Sequence, residues 1–268
     1  MHRIHRAAVA ALLLALPLSA QTTTSTDDTF KWSGKMPAGA WLHVANLNGS
    51  INVERASGDV AEVTGDKDWR RGDPKDVRFV LVKDGDNITI CALWGEESTC
   101  DAHGASYHSH GRHGDWGDNH NDVNVKFTVK IPKGVKLDVN TVNGGLDVSG
   151  AQAEVIASTV NGRVGVSTST GPVNAKTVNG SVNVRMDELS GDQDLDFSTV
   201  NGEVSVEVPS NFAGELTMET VNGSITTDFP LMITGKVNPK HIRATIGKGG
   251  RRVKMTTVNG SIELRKTG

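Results

Sequence analysis

Apolar and polar residues alternate on both sides of a recurring Asn-Gly pair. The pair stands at Asn48, Asn143, Asn161, Asn179, Asn201, Asn222 and Asn259. Thr-Val precedes it in six of the seven copies, and Asn46-Leu47 in the first. Six and four residues before each asparagine sit apolar or small side chains, such as Leu137 and Val139, Val155 and Ala157, Leu195 and Phe197, and Val253 and Met255. Three and five residues after it come Ile51 and Val53, Leu146 and Val148, Val182 and Val184, and Ile262 and Leu264. Alternation with period two marks half-buried strands. Each copy therefore reads as strand, Asn-Gly turn, strand.

Successive asparagines from Asn143 onward are separated by 18, 18, 22, 21 and 37 residues. The last interval is close to twice the others, which suggests one decayed copy around Val237-Asn238-Pro239. Two architectures suit the pattern. Asn-Gly is a favoured two-residue hairpin turn, so the copies could form an antiparallel meander. A hairpin makes no demand on the Thr-Val that comes first. Stacking like on like does, because Asn over Asn and Thr over Thr form ladders at the spacing of adjacent strands. The expected fold is all-β: a parallel β-solenoid, β-helix-like, of about 18–22-residue rungs with an N-terminal β-strand section. The corner valines Val160, Val178 and Val200 should then fall at the same place on successive rungs.

The dense array occupies residues 136–266, and the N-terminal β section residues 36–135. Within that section, 76–83 and 87–93 read as two strands around Lys83-Asp84-Gly85-Asp86. Residues 101–122 lack periodicity and are rich in Gly, His, Asp and Asn. They read as an exposed inserted loop, dispensable for folding.

The beginning of the chain changes the picture of where it works. Arg3 and Arg6 precede the short apolar run Ala7–Leu16, and Ala20 offers a small residue before Gln21, the layout of a secretory signal peptide over residues 1–20. The apolar run is too short to span a bilayer, which takes about 20 residues. Residues 21–35 follow as a polar lead, expected to be disordered. An exported protein, periplasmic or extracellular at the cell surface, can keep disulfides, and the only cysteines, Cys91 and Cys100, form an even pair. The chain has 28 basic residues against 31 acidic ones, so its charge gives no reason to expect nucleic acid as a partner.

Candidate chemistry is sparse. His103, His108, His110, His113 and His120 could bind a transition metal weakly, but their spacing provides no rigid ligand set. Asp192, Asp194 and Asp196 would share one strand face and could attract calcium, without the tight carbonyl-rich loop of a strong site. A glycan-cleaving enzyme is the main rival, since it needs two opposed carboxylates and commonly aromatic platforms. From Lys136 onward there is no Trp or Tyr, and His241 is the only histidine. All five tryptophans lie upstream, where a binding surface could sit, although core or capping roles suit most of them. A basic stretch holding Lys236, Lys240, His241, Arg243, Lys248, Arg251 and Arg252 could dock an anionic envelope polymer or serve as a solvated linker. No catalytic residue and no cofactor is assigned.

The Thr-Val-Asn-Gly repeats, the segment Cys91-Ala92-Leu93-Trp94 to Cys100, and Thr245-Ile246-Gly247-Lys248-Gly249-Gly250 before a final Thr-Val-Asn-Gly-Ser-Ile resemble the DUF4097 family of adhesin-like proteins. The resemblance covers roughly residues 36–266. It implies an adhesin-like β-solenoid domain over 36–268 at the bacterial envelope, with an envelope polymer or protein as partner. Some relatives are linked to envelope stress, and the family supplies no catalytic residues. An export leader predicts a mature N-terminus at or near Gln21, checked by intact-mass measurement of the secreted protein. A chain that retains Met1 after export would contradict it.

Overall fold

The computed structural model describes residues 21–107, 122–232 and 238–267. The leader assigned to residues 1–20 lies outside the described residues. The N-terminal section contains β1 (Gln21–Ser25), β2 (Thr29–Lys35), β3 (Trp41–Ala45), β4 (Ile51–Arg55), β5 (Val60–Asp68), β6 (Val77–Asp84), β7 (Asn87–Trp94), β8 (Thr99–Asp101), β9 (Gly104–Ser106) and β10 (Asn124–Ile131). The array follows as β11 (Lys136–Asn140), β12 (Leu146–Ala151), β13 (Val155–Ser158), β14 (Val164–Thr168), β15 (Val173–Lys176), β16 (Val182–Met186), β17 (Leu195–Ser198) and β18 (Val204–Val208). It ends with β19 (Gly214–Glu219), β20 (Ile225–Thr227), β21 (His241–Ile246), β22 (Arg252–Thr256) and β23 (Ile262–Lys266). The segment 21–35, expected to be a disordered lead, instead supplies β1 and β2. They pair antiparallel with β6 and β5, because the terminal rung needs partners for its edges.

The strands before each corner form one sheet and those after it a second, with apolar side chains enclosed between them. The first sheet runs β1-β6-β7-β3-β11-β13-β15-β17-β22-β19-β21, and the second β2-β5-β10-β4-β12-β14-β16-β18-β23-β20. The rungs stack in parallel, with Leu42 beside Leu137, Leu137 beside Val155 and Val155 beside Val173. This is the parallel β-solenoid. The apolar positions flanking the corners are buried almost throughout, and only the terminal strand β20 leaves Ile225 half-buried.

Three elements of the motif are dictated by stacking. Six of the seven Asn side chains donate to the Asn of the neighbouring rung at 2.8 Å, continuously from Asn222 through Asn259, Asn201, Asn179, Asn161 and Asn143 to Asn48, which accepts. Each Thr hydroxyl donates to the Gly carbonyl of the adjacent rung, as Thr177 does to Gly162 at 2.9 Å and Thr257 to Gly202 at 2.9 Å. Each corner glycine sits so close to its neighbour that a Cβ would lie 1.8–2.0 Å from a carbonyl oxygen. Space rather than backbone angle imposes glycine, since five of these seven residues have no left-handed φ. Where the first corner abuts β10, buried Asn46 replaces the threonine and donates to the Val125 carbonyl at 2.8 Å.

The long interval before Asn259 has a different cause from a decayed copy. Rung β22–β23 inserts between rung β17–β18 and rung β19–β20, so Asn259 bridges both Asn201 and Asn222. Asn238 instead bridges His241 in a turn leading into β21, which runs antiparallel to β19 and closes that edge. Val237 lies outside the described residues.

The ends are closed by aromatics. Phe79 packs on Phe30 at 5.2 Å and on Phe127 at 6.0 Å, with Gly65 leaving the room they need. Phe212 meets Phe229 edge-on at 6.0 Å near the other end.

Replacing Gly202 by Ala should destabilise the chain by roughly 2–4 kcal/mol, because a backbone carbonyl blocks the added carbon. Val178→Ala, at a half-exposed corner, should cost under about 1 kcal/mol. Denaturant unfolding of the two variants checks the order.

Candidate binding surfaces

The corner valines do face outward at one place on successive rungs. Val160, Val178, Val200 and Val258 are 38–39% exposed, and Val221 on the terminal rung reaches 63%. Leu47 and Val142 extend the row toward the N-terminal section. No stacking bond uses these side chains. They form a narrow apolar row beside the Asn ladder.

The outer face of the second sheet carries a shallow trough of about 630 Å³. Its floor is a register row of Asn52, Asp147, Gly165, Asn183 and Ser205. Arg163 pairs with Asp147 at 2.7 Å, and Arg185 pairs with Asp187 and Glu207, each at 3.0 Å. On the first sheet, Lys136 pairs with Glu154 at 3.0 Å and Lys176 with Asp196 at 2.7 Å. Neighbouring rungs thus neutralise one another across the outer faces, and the trough contains no aromatic side chain.

Hydrogen bonding holds several carboxyl groups below their ordinary range. The Arg252 side chain does so for Asp194, the Lys35 ammonium for Asp59, and the backbone N–H groups of Gly72 and Arg71 for Asp122. Each contribution is present above the ordinary carboxylate pKa and fades as pH falls through the lowered one. All three groups are exposed, so their effect is small.

The residues singled out for metal chemistry do not converge. His103 is exposed, and its backbone N–H donates to Asp101 at 2.7 Å. His108, His110, His113 and His120 lie outside the described residues. Asp194 and Asp196 are each ion-paired, with Arg252 and Lys176, and Arg251 lies in the electrostatic reach of Asp192. Among the described residues no group of three His, Cys, Asp or Glu side chains could hold a metal ion.

From Lys240 onward the basic stretch is ordered rather than a solvated linker, and Lys236 lies outside the described residues. Lys240 donates to the Gly223 carbonyl, His241 meets Glu219 at 2.8 Å, and Arg251 donates to the Gly191 carbonyl. These contacts use much of the charge that sequence alone left open for an anionic polymer. His43 pairs with Asp138 at 3.2 Å and stacks on Trp41. Neither this pair nor His241–Glu219 has a hydroxyl or thiol hydrogen-bonded to the imidazole among the described residues.

The region around the cysteines is more structured than its composition suggested. Cys91 and Cys100 form a disulfide with Cα atoms 6.2 Å apart. Residues 101–106 of the expected loop 101–122 belong to a hairpin, with β8 and β9 pairing antiparallel. Cys100, Ala105 and Tyr107 cover an outer apolar cluster of Ala45, Val80, Val82, Cys91 and Leu93. Tyr107 donates to the Ala92 carbonyl at 3.1 Å, and burial pushes its phenol well above the ordinary value. Thr89 donates to the Ala102 carbonyl at 3.0 Å. Residues 102–107 therefore contribute to packing, which corrects the reading of the whole loop as dispensable. The apolar run Val80–Val82 with Leu93, facing out from a sheet already buried on its other side, is the signal that something must cover it.

Cys91→Ser with Cys100→Ser should cost about 2–3 kcal/mol on the chain-entropy account of a loop this short. Thermal unfolding of the double variant checks the value. The unreduced wild type should weigh about 2 Da less than its reduced form.

No curated protein sequence matches the chain. A structure from Clostridium sporogenes, described as a candidate cell adhesion protein, is similar at 9% identity and a TM-score of 0.39, covering 89% of this chain and 100% of that one. A candidate adhesin from Bacteroides fragilis is similar at 10% identity and a TM-score of 0.35, covering 89% of this chain and 97% of that one. Residues 48–265 match the family described as Toastrack DUF4097. The match takes in all seven Asn-Gly corners, the disulfide segment and the interleaved last rung. The chain belongs to the Toastrack DUF4097 family.

Proposed function

We propose that this protein is a non-enzymatic, adhesin-like binding module of the bacterial envelope, exported and presented in the periplasm or at the cell surface. The observation that carries the reading is the division of labour across the rungs. Inward positions are apolar with few exceptions, the corner is fixed by stacking, and the outward positions vary freely. Asn140, Ser158, Lys176, Ser198, Thr256 and Glu219 succeed one another along one outward row. Such a scaffold holds a shape over many rungs and leaves its surface chemistry open, as extended repeat proteins that act by contact do. Catalysis would instead call for acids, bases or nucleophiles converging in a cleft. The carboxylates of the array are spread along the rungs, and many are tied to cations of neighbouring strands.

The family assignment supports an adhesive role, and the leader-like start together with the disulfide supports export. The partner on this reading is an envelope polymer or protein. The purified chain should co-sediment with cell-wall sacculi or outer-membrane vesicles, and should show no turnover on a broad panel of polysaccharides with or without calcium. Reproducible cleavage abolished by one carboxylate replacement would establish the enzymatic rival. Failure to sediment with either fraction would remove the adhesive reading.

A further inference from the structure

We propose that the cleft between the Trp94–Ser98 loop and the first corner is a binding site for a short neutral saccharide. The proposal rests on the adhesive reading and names where its specificity lies. The cleft has a volume of about 660 Å³, within the size range of small-ligand sites. Trp94, Tyr107 and Leu47 form its apolar wall, and Lys75 and Glu96 are among its charged groups. Leu47 is also the first of the outward corner residues, so the apolar row of the array leads to this cleft.

Three observations set the cleft apart from the rest of the surface. First, the loop that walls it is pinned far beyond what its size requires. Arg78 donates to the carbonyls of Gly95, Glu96 and Ser98, Ser98 donates to the Trp94 carbonyl at 2.6 Å, and the disulfide closes the segment from Cys91 to Cys100. Apart from buried Ser98, the segment 95–99 is exposed and adds nothing to the core. Rigid exposed loops of this kind serve recognition, because they avoid the entropy cost of ordering on binding. Second, Trp94 is half-buried and its indole Nε1 is enclosed without a hydrogen-bond partner, so what the residue offers the cleft is ring surface. Third, the cleft combines aromatic surface with both signs of charge. Lys75 and Arg78 disfavour a cation, whereas Asp76 and Glu96 disfavour an anion. A sugar ring suits that combination, since its C–H faces pack on aromatic and aliphatic groups while its hydroxyls both donate and accept.

The test uses the full mature chain with neutral trisaccharides of glucose, galactose and N-acetylglucosamine, and a trimer of galacturonic acid as the anionic probe. Binding is followed by tryptophan fluorescence and calorimetry. At least one neutral trimer should bind with a Kd on the order of 10⁻⁴ M or tighter, and more tightly than the acid. Trp94→Phe keeps one ring but removes the wider indole surface, and should weaken binding severalfold. Lys75→Ala, an exposed change that leaves the fold intact, should weaken it severalfold. The proposal is overturned if no neutral trimer binds at about 10 mM, if the acid binds best, or if both variants bind as the wild type does. If no trisaccharide binds while sedimentation with envelope fractions persists, adhesion lies elsewhere on the scaffold and only the cleft is refuted. If both sedimentation and trisaccharide binding fail, the adhesive reading falls with it.

Discussion

The close approach of one rung's glycine to the next rung's carbonyl is the constraint on which the array depends. A parallel stack brings equivalent corners to the separation of hydrogen-bonded strands. At a corner, where the chain turns from one sheet to the other, that separation leaves no room for a side chain. The Gly carbonyl then accepts from the threonine of the adjacent rung, and the Asn amide completes a second ladder alongside it. Each threonine is at least 94% buried, so an unmet hydroxyl there would be costly. Thr, Asn and Gly recur together because each satisfies a different group at the same crowded corner.

The same ladder explains how the chain can end out of order. Any rung carrying the motif fits against any other, and Thr220–Ile225 and Thr257–Ile262 have the same sequence. After rung β19–β20 the chain turns back through the antiparallel β21, and its last rung lies between β19–β20 and β17–β18. Within the ladder, rung β19–β20 therefore pairs with the array through the later rung β22–β23. Contacts such as Asn201 with Asn259 span 58 residues, and pairings of that separation form slowly.

The repeat was legible because it writes the same physical demand seven times. Alternation at fixed offsets gave the inward faces, and the constancy of Thr-Val-Asn-Gly distinguished stacking from hairpins. Spacing could not reveal the interleaving, since an interval of 37 residues looks alike whether a copy has decayed or the chain has doubled back. Strand β1 was also hidden, because Gln21-Thr22-Thr23-Thr24-Ser25 carries no apolar alternation and is held by its backbone, whereas β2 does alternate through Phe30 and Trp32. Export, a disulfide and a scarcity of catalytic groups could be argued from composition. The cleft beside Trp94 could not, for it needs Leu47, Lys75, Trp94 and Tyr107 from four separate segments.

One residue of the motif is left over when stacking has been accounted for. The corner valine's side chain makes no ladder bond and in five of its six copies is more than a third exposed, yet it recurs while other outward positions drift between Ser, Asn, Lys and Glu. Part of its constancy follows from β-branched side chains lying one above another along the stack. That packing would tolerate threonine equally well at a half-wet position. An apolar row that lies on the surface and ends at Leu47, beside the disulfide-closed loop, is placed for contact rather than for the core. A long polymer held by many weak contacts along such a row, and by one specific contact at its end, would gain affinity through multivalency without any single deep pocket.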